Sequence, residues 1–255
     1  MQRPMPEPRG PRLEVYQTDA EAYEAAADVV AARLREAAAA RGKASAALAG
    51  GRAGRGVQIA LAARGDVPWA AVDWYWSDER CVPVDDKRSL VRQAEADLLV
   101  PRGVAAARIH RPPLELDEPA AIARRYADIL AALGSPPAFD VLMLDVTPAG
   151  QVAALAPGSA GLGASGWVAA VSPDVADPPP VPRITVTPPV LDAARHVVVT
   201  ITGDDKAAVV GAALREPHDL RLRPVQLVLP SARVTWVVDR AAAAELLRDA
   251  VPAPQ

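Results

Sequence analysis

Phe139–Val146 (FDVLMLDV) limits the folds open to this 255-residue chain more than any other stretch. It is an apolar run of strand length, carrying acids at Asp140 and Asp145, and Thr147, Pro148 and Gly150 then break it. The pattern predicts a buried strand that runs into a small-residue turn, after which Val152 to Leu155 can only open a short helix. In an open α/β sheet a strand-to-helix turn at the carboxyl end of a strand is the usual ligand position, and helix amides suit an anion. A plain connecting loop is the other reading these residues allow.

The flanking sequence repeats the alternation. Leu13 to Gln17 reads as a first strand, and Asp19 as the cap of an alanine-rich helix reaching about Ala40. Ala44 to Ala49 is a second strand. Gly50 to Gly56 (GGRAGRG) then leads into a helix ending near Ala63. Glycines there let backbone amides approach an anion, and Arg52 adds a charged donor; a merely tight turn would look the same. Val72–Trp76 is a third strand, with Asp78, Glu79 and Arg80 just past its end, placed either to reach a ligand or to form a solvated ion-pair cluster. Helices are expected over Asp85 to Leu99 and Glu118 to Leu133, the latter with Ile122, Tyr126 and Ile129 on one face. Trp167 to Val171 returns as a strand before the proline-rich Pro178 to Pro182. Lys206 lies at a later strand-to-helix turn, suited to a phosphate or to solvent. Val234 to Asp239 is the last strand and Ala241 to Leu247 the last helix.

Composition narrows the function classes. Hydrophobic residues make up 51% of the chain but aromatics only 4%, so aliphatics and alanine must fill the core. A net charge of −3 offers no polybasic footprint, and neither nucleic acid nor membrane is expected as a partner. The single cysteine, Cys81, allows no internal disulfide or thiolate cluster, and the N-terminal MQRPMPEPRGPR has no apolar core of a signal peptide, which together predict a cytoplasmic protein. His110, His196 and His218 are dispersed, so no metal site is expected, nor any cofactor.

The turn after Phe139–Val146 resembles the signature of the 6-phosphogluconolactonase family, Gly-x-Gly-Pro-(Asp/Glu)-Gly-His followed by Ala-Ser-Leu-Phe-Pro. Pro148, Gly150, Ala153, Leu155 and Pro157 match it. Asp145 and Thr147 stand at its two early glycines, Ala149 at its acid and Gln151 at its histidine. Further resemblances occur in order along the chain. Ala49, Gly50, Gly51, Arg52 and Gly54 are similar to the Thr-Gly-Gly-Arg-Asn-Gly of actinobacterial-type members, with Ala53 replacing the asparagine. Asp78–Arg80 with Val82 and Pro83 resemble Asp-Glu-Arg-x-Val-Pro, and the Arg-Asn that follows in relatives is Arg88–Ser89. Ile109 to Pro113 resembles Val-His-x-x-Pro, in which His110 would be structural. Arg183 to Thr185, Pro189 to Arg195, Thr202 to Lys206 and the terminal Thr235, Trp236 and Asp239 also fit, whereas a lysine carried by relatives before the prolines is Asp177 or a proline here.

The resemblance implies an α/β fold, a doubly wound, mostly parallel sheet with helices on both faces, as one domain over residues 13–248 between a flexible lead-in (1–12) and a tail (249–255). It implies hydrolysis of 6-phosphoglucono-1,5-lactone to 6-phosphogluconate, a step of the pentose phosphate pathway. Gly50, Gly51, Arg52, Asp78, Arg80, Arg183 and Lys206 would bind the phosphorylated sugar lactone or sugar acid. The catalytic positions, Ala149 and Gln151, are not intact. A glutamine takes no proton, and a general base is worth about 100- to 10,000-fold, so activity is expected to be lost or strongly reduced. The alternatives are a working hydrolase with Asp78, Glu79 or Asp145 as the base, and a non-catalytic homologue that binds a sugar phosphate or a protein partner. Amino-sugar phosphate deamination fits less well, because it uses the same missing region.

Overall fold

A computed structural model describes residues 12–116, 118–172 and 180–250. The expected lead-in and tail, together with Asp177, fall almost wholly outside them. The chain runs β1 (Arg12–Tyr16), α1 (Asp19–Arg41), β2 (Ala44–Leu48), α2 (Gly51–Ala62), β3 (Val72–Trp76), β4 (Asp78–Arg80), α3 (Leu90–Ala94) and α4 (Pro119–Leu130). It continues through β5 (Val141–Asp145), β6 (Val168–Val171), β7 (Arg183–Val186), α5 (Pro188–Ala193), β8 (Val197–Ile201), α6 (Ala207–Arg215), β9 (Val234–Asp239) and α7 (Ala244–Ala250).

Six strands form one sheet in the order β1-β9-β8-β5-β2-β3, every pair parallel. All residues of β2, β8 and β9 are buried, as strands covered on both faces require, which is why they read as continuous apolar runs without alternation. A second, antiparallel sheet, β4-β7-β6, was not foreseen. Ser77 joins the two: its N–H donates to Leu48 at the end of β2, and its carbonyl accepts from Val186 of β7.

The order of the parallel sheet fixes where a crevice opens. From β2 the chain moves outward to β3, while from β5 it moves the opposite way to β8. Right-handed crossovers therefore send the connections after β2 and β5 to opposite faces, and their carboxyl ends part at a topological switch point. The glycine turn after β2 and the Thr147–Gln151 turn after β5 both stand there.

Alanine explains the packing of the covered face. α1 buries Ala22, Ala26, Ala27, Val30, Ala31, Leu34 and Ala37, small side chains that let it lie close to β2, β8, β9 and α2. Its N-cap is Thr18, not Asp19. The Thr18 hydroxyl accepts from the Glu21 amide and the Glu21 carboxylate accepts from the Thr18 amide, both at 3.2 Å, a reciprocal box that leaves Asp19 in the first turn.

Three expected elements differ. The helix expected from Asp85 starts only at Leu90, because Ser89 caps it and the Glu79 carboxylate takes the amides of Leu90 and Val91; beyond Ala94 it widens into a π-helical turn over Glu95–Leu99. The last helix begins at Ala244 instead of Ala241, since the Asp239 carboxylate holds the Ala242 amide in a turn. Val152 to Leu155 opens no helix. The chain doubles back there, with antiparallel bridges between Val146 and Val152 and between Val152 and Leu155, and this buries both Val152 and Leu155 completely.

Candidate functional site

At the switch point a cleft is lined by Ala49, Gly50 and Gly51 after β2, Ser77, Asp78 and Arg80 of the passage into the small sheet, Asp145, Thr147, Gln151 and Ala153 after β5, Arg183 of β7, and Leu90. Residues separated by more than a hundred positions thus meet where the two sheets join.

The β5 turn is closed by its own backbone: Gly150 donates to the Thr147 carbonyl at 2.9 Å, and Thr147 to the Gln151 carbonyl at 3.2 Å. Gln151 is 3% exposed, and its side-chain amide donates to the Ala153 carbonyl at 3.0 Å. Ala149 is exposed and lies outside the cleft lining. Ala153 has φ 49°, a left-handed backbone that costs a non-glycine residue about 1–2 kcal/mol. Ala153→Gly relieves that strain but adds unfolded-chain entropy worth about 0.4–1 kcal/mol, so urea unfolding should show a net gain of roughly 0.5–1 kcal/mol. A destabilised variant would mean that the turn carries no such strain.

Asp78 is 5% exposed and accepts from Ser77 Oγ at 3.1 Å and from Arg183 Nη1 at 3.3 Å. Burial pushes its carboxyl upward, and the Arg183 guanidinium opposes this. Arg183 is itself buried against the cleft, and Arg80 donates to the Arg88 carbonyl at 3.0 Å. Glu79 is turned away from the cleft. It is fully buried and accepts from the amides of Arg80, Leu90 and Val91 and from Ser89 Oγ. The alternation of β4 puts its neighbours on the cleft side and Glu79 on the other, where it anchors α3.

Arg52 and Lys206 do not line the cleft. They stand behind Asp145: Arg52 Nη2 donates to the Thr202 carbonyl at 2.6 Å and to Asp205 Oδ1 at 3.1 Å, and Lys206, 7% exposed, lies 3.4 Å from Asp205 Oδ2. Half-buried Asp145 accepts from the Val146 amide at 2.7 Å and from the Ala53 amide at 3.3 Å. Loss of water around it raises its carboxyl to about 6 against the opposing field of Lys206 and then Arg52.

Gly50, Gly51, Asp78, Arg80 and Arg183 are therefore brought together with Gln151, whereas Arg52 and Lys206 form a flanking group. Ser77, Leu90, Thr147 and Ala153 were not picked out from the sequence as binding residues, although Ser77 lies between a strand and a charged triplet, and Thr147 and Ala153 lie within the signature turn. His110 stacks on Tyr75 and lies 3.2 Å from Asp73, and His196 faces Thr235. Among the described residues no group of three His, Cys, Asp or Glu is placed to hold a metal ion, and no helix is long and apolar enough to cross a membrane.

Residues 17–236 match the model of the family described as glucosamine-6-phosphate isomerases/6-phosphogluconolactonase. A 6-phosphogluconolactonase of Streptomyces coelicolor is 36% identical over 95% of this chain and 97% of its own length. A 6-phosphogluconolactonase structure from Trypanosoma brucei superposes with a TM-score of 0.81 at 24% identity, covering 92% of this chain and 98% of that one. A monomeric glucosamine-6-phosphate deaminase superposes with a TM-score of 0.79 at 20% identity, covering 92% and 99%; both structures are alike in fold.

Proposed function

The chain belongs to the glucosamine-6-phosphate isomerase/6-phosphogluconolactonase family, and we propose that it keeps a cleft for a sugar lactone or sugar acid while lactone hydrolysis is lost or strongly reduced. The inherited reaction is the one its relatives' names imply, conversion of 6-phosphoglucono-1,5-lactone to 6-phosphogluconate. The observation that carries the reading is Gln151. It occupies the cleft wall where the family's histidine would stand, and its amide, committed to the Ala153 carbonyl, has no basic nitrogen with which to activate water.

The base role does not pass to a neighbour. Asp78 and Asp145 are the carboxylates on the cleft lining among the described residues. Asp78 is engaged by Arg183 and Ser77, and Asp145 by two backbone amides. Glu79 faces the opposite side. What the cleft retains is donor capacity from Arg80 and Arg183, suited to the oxygens of a sugar acid.

A lactone hydrolysis assay run beside a calorimetric titration with the sugar acid tests this. Binding with turnover close to the spontaneous rate is expected. Fast hydrolysis by the unaltered chain would refute the loss of activity, and failure to bind any sugar acid would leave a protein partner as the function. Arg80→Ala should weaken the titrated affinity by about 1.5–3 kcal/mol, the worth of a hydrogen bond to a charged group. An unchanged affinity would remove Arg80 from the site.

A further inference from the structure

We infer that Asp145 is an internal substitute for a ligand's phosphate, so that the cleft selects a sugar lactone or sugar acid without a terminal phosphate. This rests on the cleft being a sugar-acid site, as proposed above. The first turn of α2 is the natural phosphate position of such a site: the twelve-residue helix starts at Gly51 on the cleft lining, and its N-cap, Gly50, supplies no side-chain cap. Here that position is filled from within. Asp145 Oδ2 accepts the amide of Ala53, the third residue of α2, and sits so close to the backbone that a Cβ on Gly51 would lie 2.1 Å from it. Gly51 has φ 75°, so only glycine both makes the turn and leaves room for the carboxylate.

The cations that a phosphate would use are also engaged. Arg52 and Lys206 act on Asp145 from behind and both pair with Asp205. Arg183 pairs with Asp78, and the Arg80 guanidinium donates to the Arg88 carbonyl. Arg52 and Lys206 are thus already paired with Asp205, and Arg183 with Asp78, beside the carboxylate of Asp145. A phosphate carrying nearly two negative charges would have to displace Asp145 and leave a buried acid beside it. A neutral polyol end meets no such conflict, and Thr147 and the Gly50–Gly51 backbone line the cleft beside it.

Calorimetric titration of the full chain and of Asp145→Gly and Asp145→Asn with gluconate, 6-phosphogluconate and inorganic phosphate, at about pH 8 where the acids are ionised, separates the cases. The unaltered chain is expected to bind gluconate more tightly than 6-phosphogluconate, with no measurable binding of inorganic phosphate. Asp145→Gly, which empties the position, should bind 6-phosphogluconate about tenfold or more tightly than the unaltered chain and take up inorganic phosphate, with gluconate little changed. Asp145→Asn keeps the shape and removes the charge, so it should shift the preference in the same direction even if the glycine variant folds poorly. Tighter binding of 6-phosphogluconate than gluconate by the unaltered chain, with a preference that neither variant moves, overturns the inference and leaves the sugar-acid cleft standing. Binding of none of the three probes by any of the three proteins removes the sugar-acid reading itself.

Discussion

Ala149→Asp combined with Gln151→His is expected to raise lactone hydrolysis by about 100- to 10,000-fold, the usual worth of a positioned general base. The geometry for it is in place. Gln151 already donates an N–H to the Ala153 carbonyl at 3.0 Å, and an imidazole at that position can give one ring N–H to the same acceptor. The other ring nitrogen is then left unprotonated toward the cleft, which is the tautomer a base needs. Ala149, on the exposed side of the turn, is where an acid could support the resulting imidazolium. The rate should rise with pH through about 6.5 as the new imidazole loses its proton, a profile the unaltered chain has no reason to show.

Because the double substitution adds a group that acts in the transition state, the gain should fall in kcat and leave KM little moved. The substrate decides how far it goes. With an unphosphorylated lactone the double variant is sufficient; with 6-phosphoglucono-1,5-lactone the carboxylate of Asp145 still blocks the first turn of α2, and Asp145→Gly with Thr147→Gly should be needed for the full effect. A fast unaltered enzyme that Gln151→His leaves unchanged would refute the loss of activity. A folded fourfold variant that stays inactive on both lactones would show that the family's reaction is not this chain's.

The fold was legible because parallel strands covered on both faces cannot alternate. Val72–Trp76 and Val234–Asp239 coincide with β3 and β9 to the residue, and Phe139–Val146 encloses β5. The antiparallel sheet was not legible. β4 is three residues long and consists of Asp-Glu-Arg, a composition that reads as a solvated loop, and its partner β7 lies about a hundred positions away. The turn after β5 misled for a different reason. Val152 and Leu155 have helical spacing, but complete burial of both in the doubled-back chain, with Val152 bridged to Val146 and Leu155 to Val152, outweighs what so short a helix could contribute. In the site, charged residues at the end of β3 drew attention to Asp78 and Arg80 but left a solvated ion-pair cluster open, and Arg183 was singled out by the family resemblance alone. Nothing local could tell that Arg52 turns toward Asp205, since that depends on how α2 stands beside the turn after β8.

Glu79 shows how one side chain of a charged triplet can serve the fold while its neighbours face the ligand. It is 0% exposed and satisfies the amides of Leu90 and Val91, so it both caps α3 and ties β4 to it. Glu79→Ala would leave those donors and Ser89 Oγ without their acceptor and open a cavity, and should cost about 3–5 kcal/mol in urea unfolding. Glu79→Gln keeps the volume and one acceptor oxygen, and should cost less. The two variants also differ from the parent in pH dependence. Burial holds the Glu79 carboxyl up at about 7 in the folded chain, above its ordinary 4.5, with the backbone amides pulling the other way. Between those values the folded chain binds more protons than the unfolded one, so the stability from this group is full below about 4.5 and is lost as pH rises through about 7. Glu79→Gln has no proton to lose there, and its deficit relative to the parent should shrink between about pH 5 and pH 8. A loss below about 1 kcal/mol for Glu79→Ala, or a Glu79→Gln deficit that does not change over that range, would mean that the carboxylate is neither the anchor of α3 nor a strained buried charge.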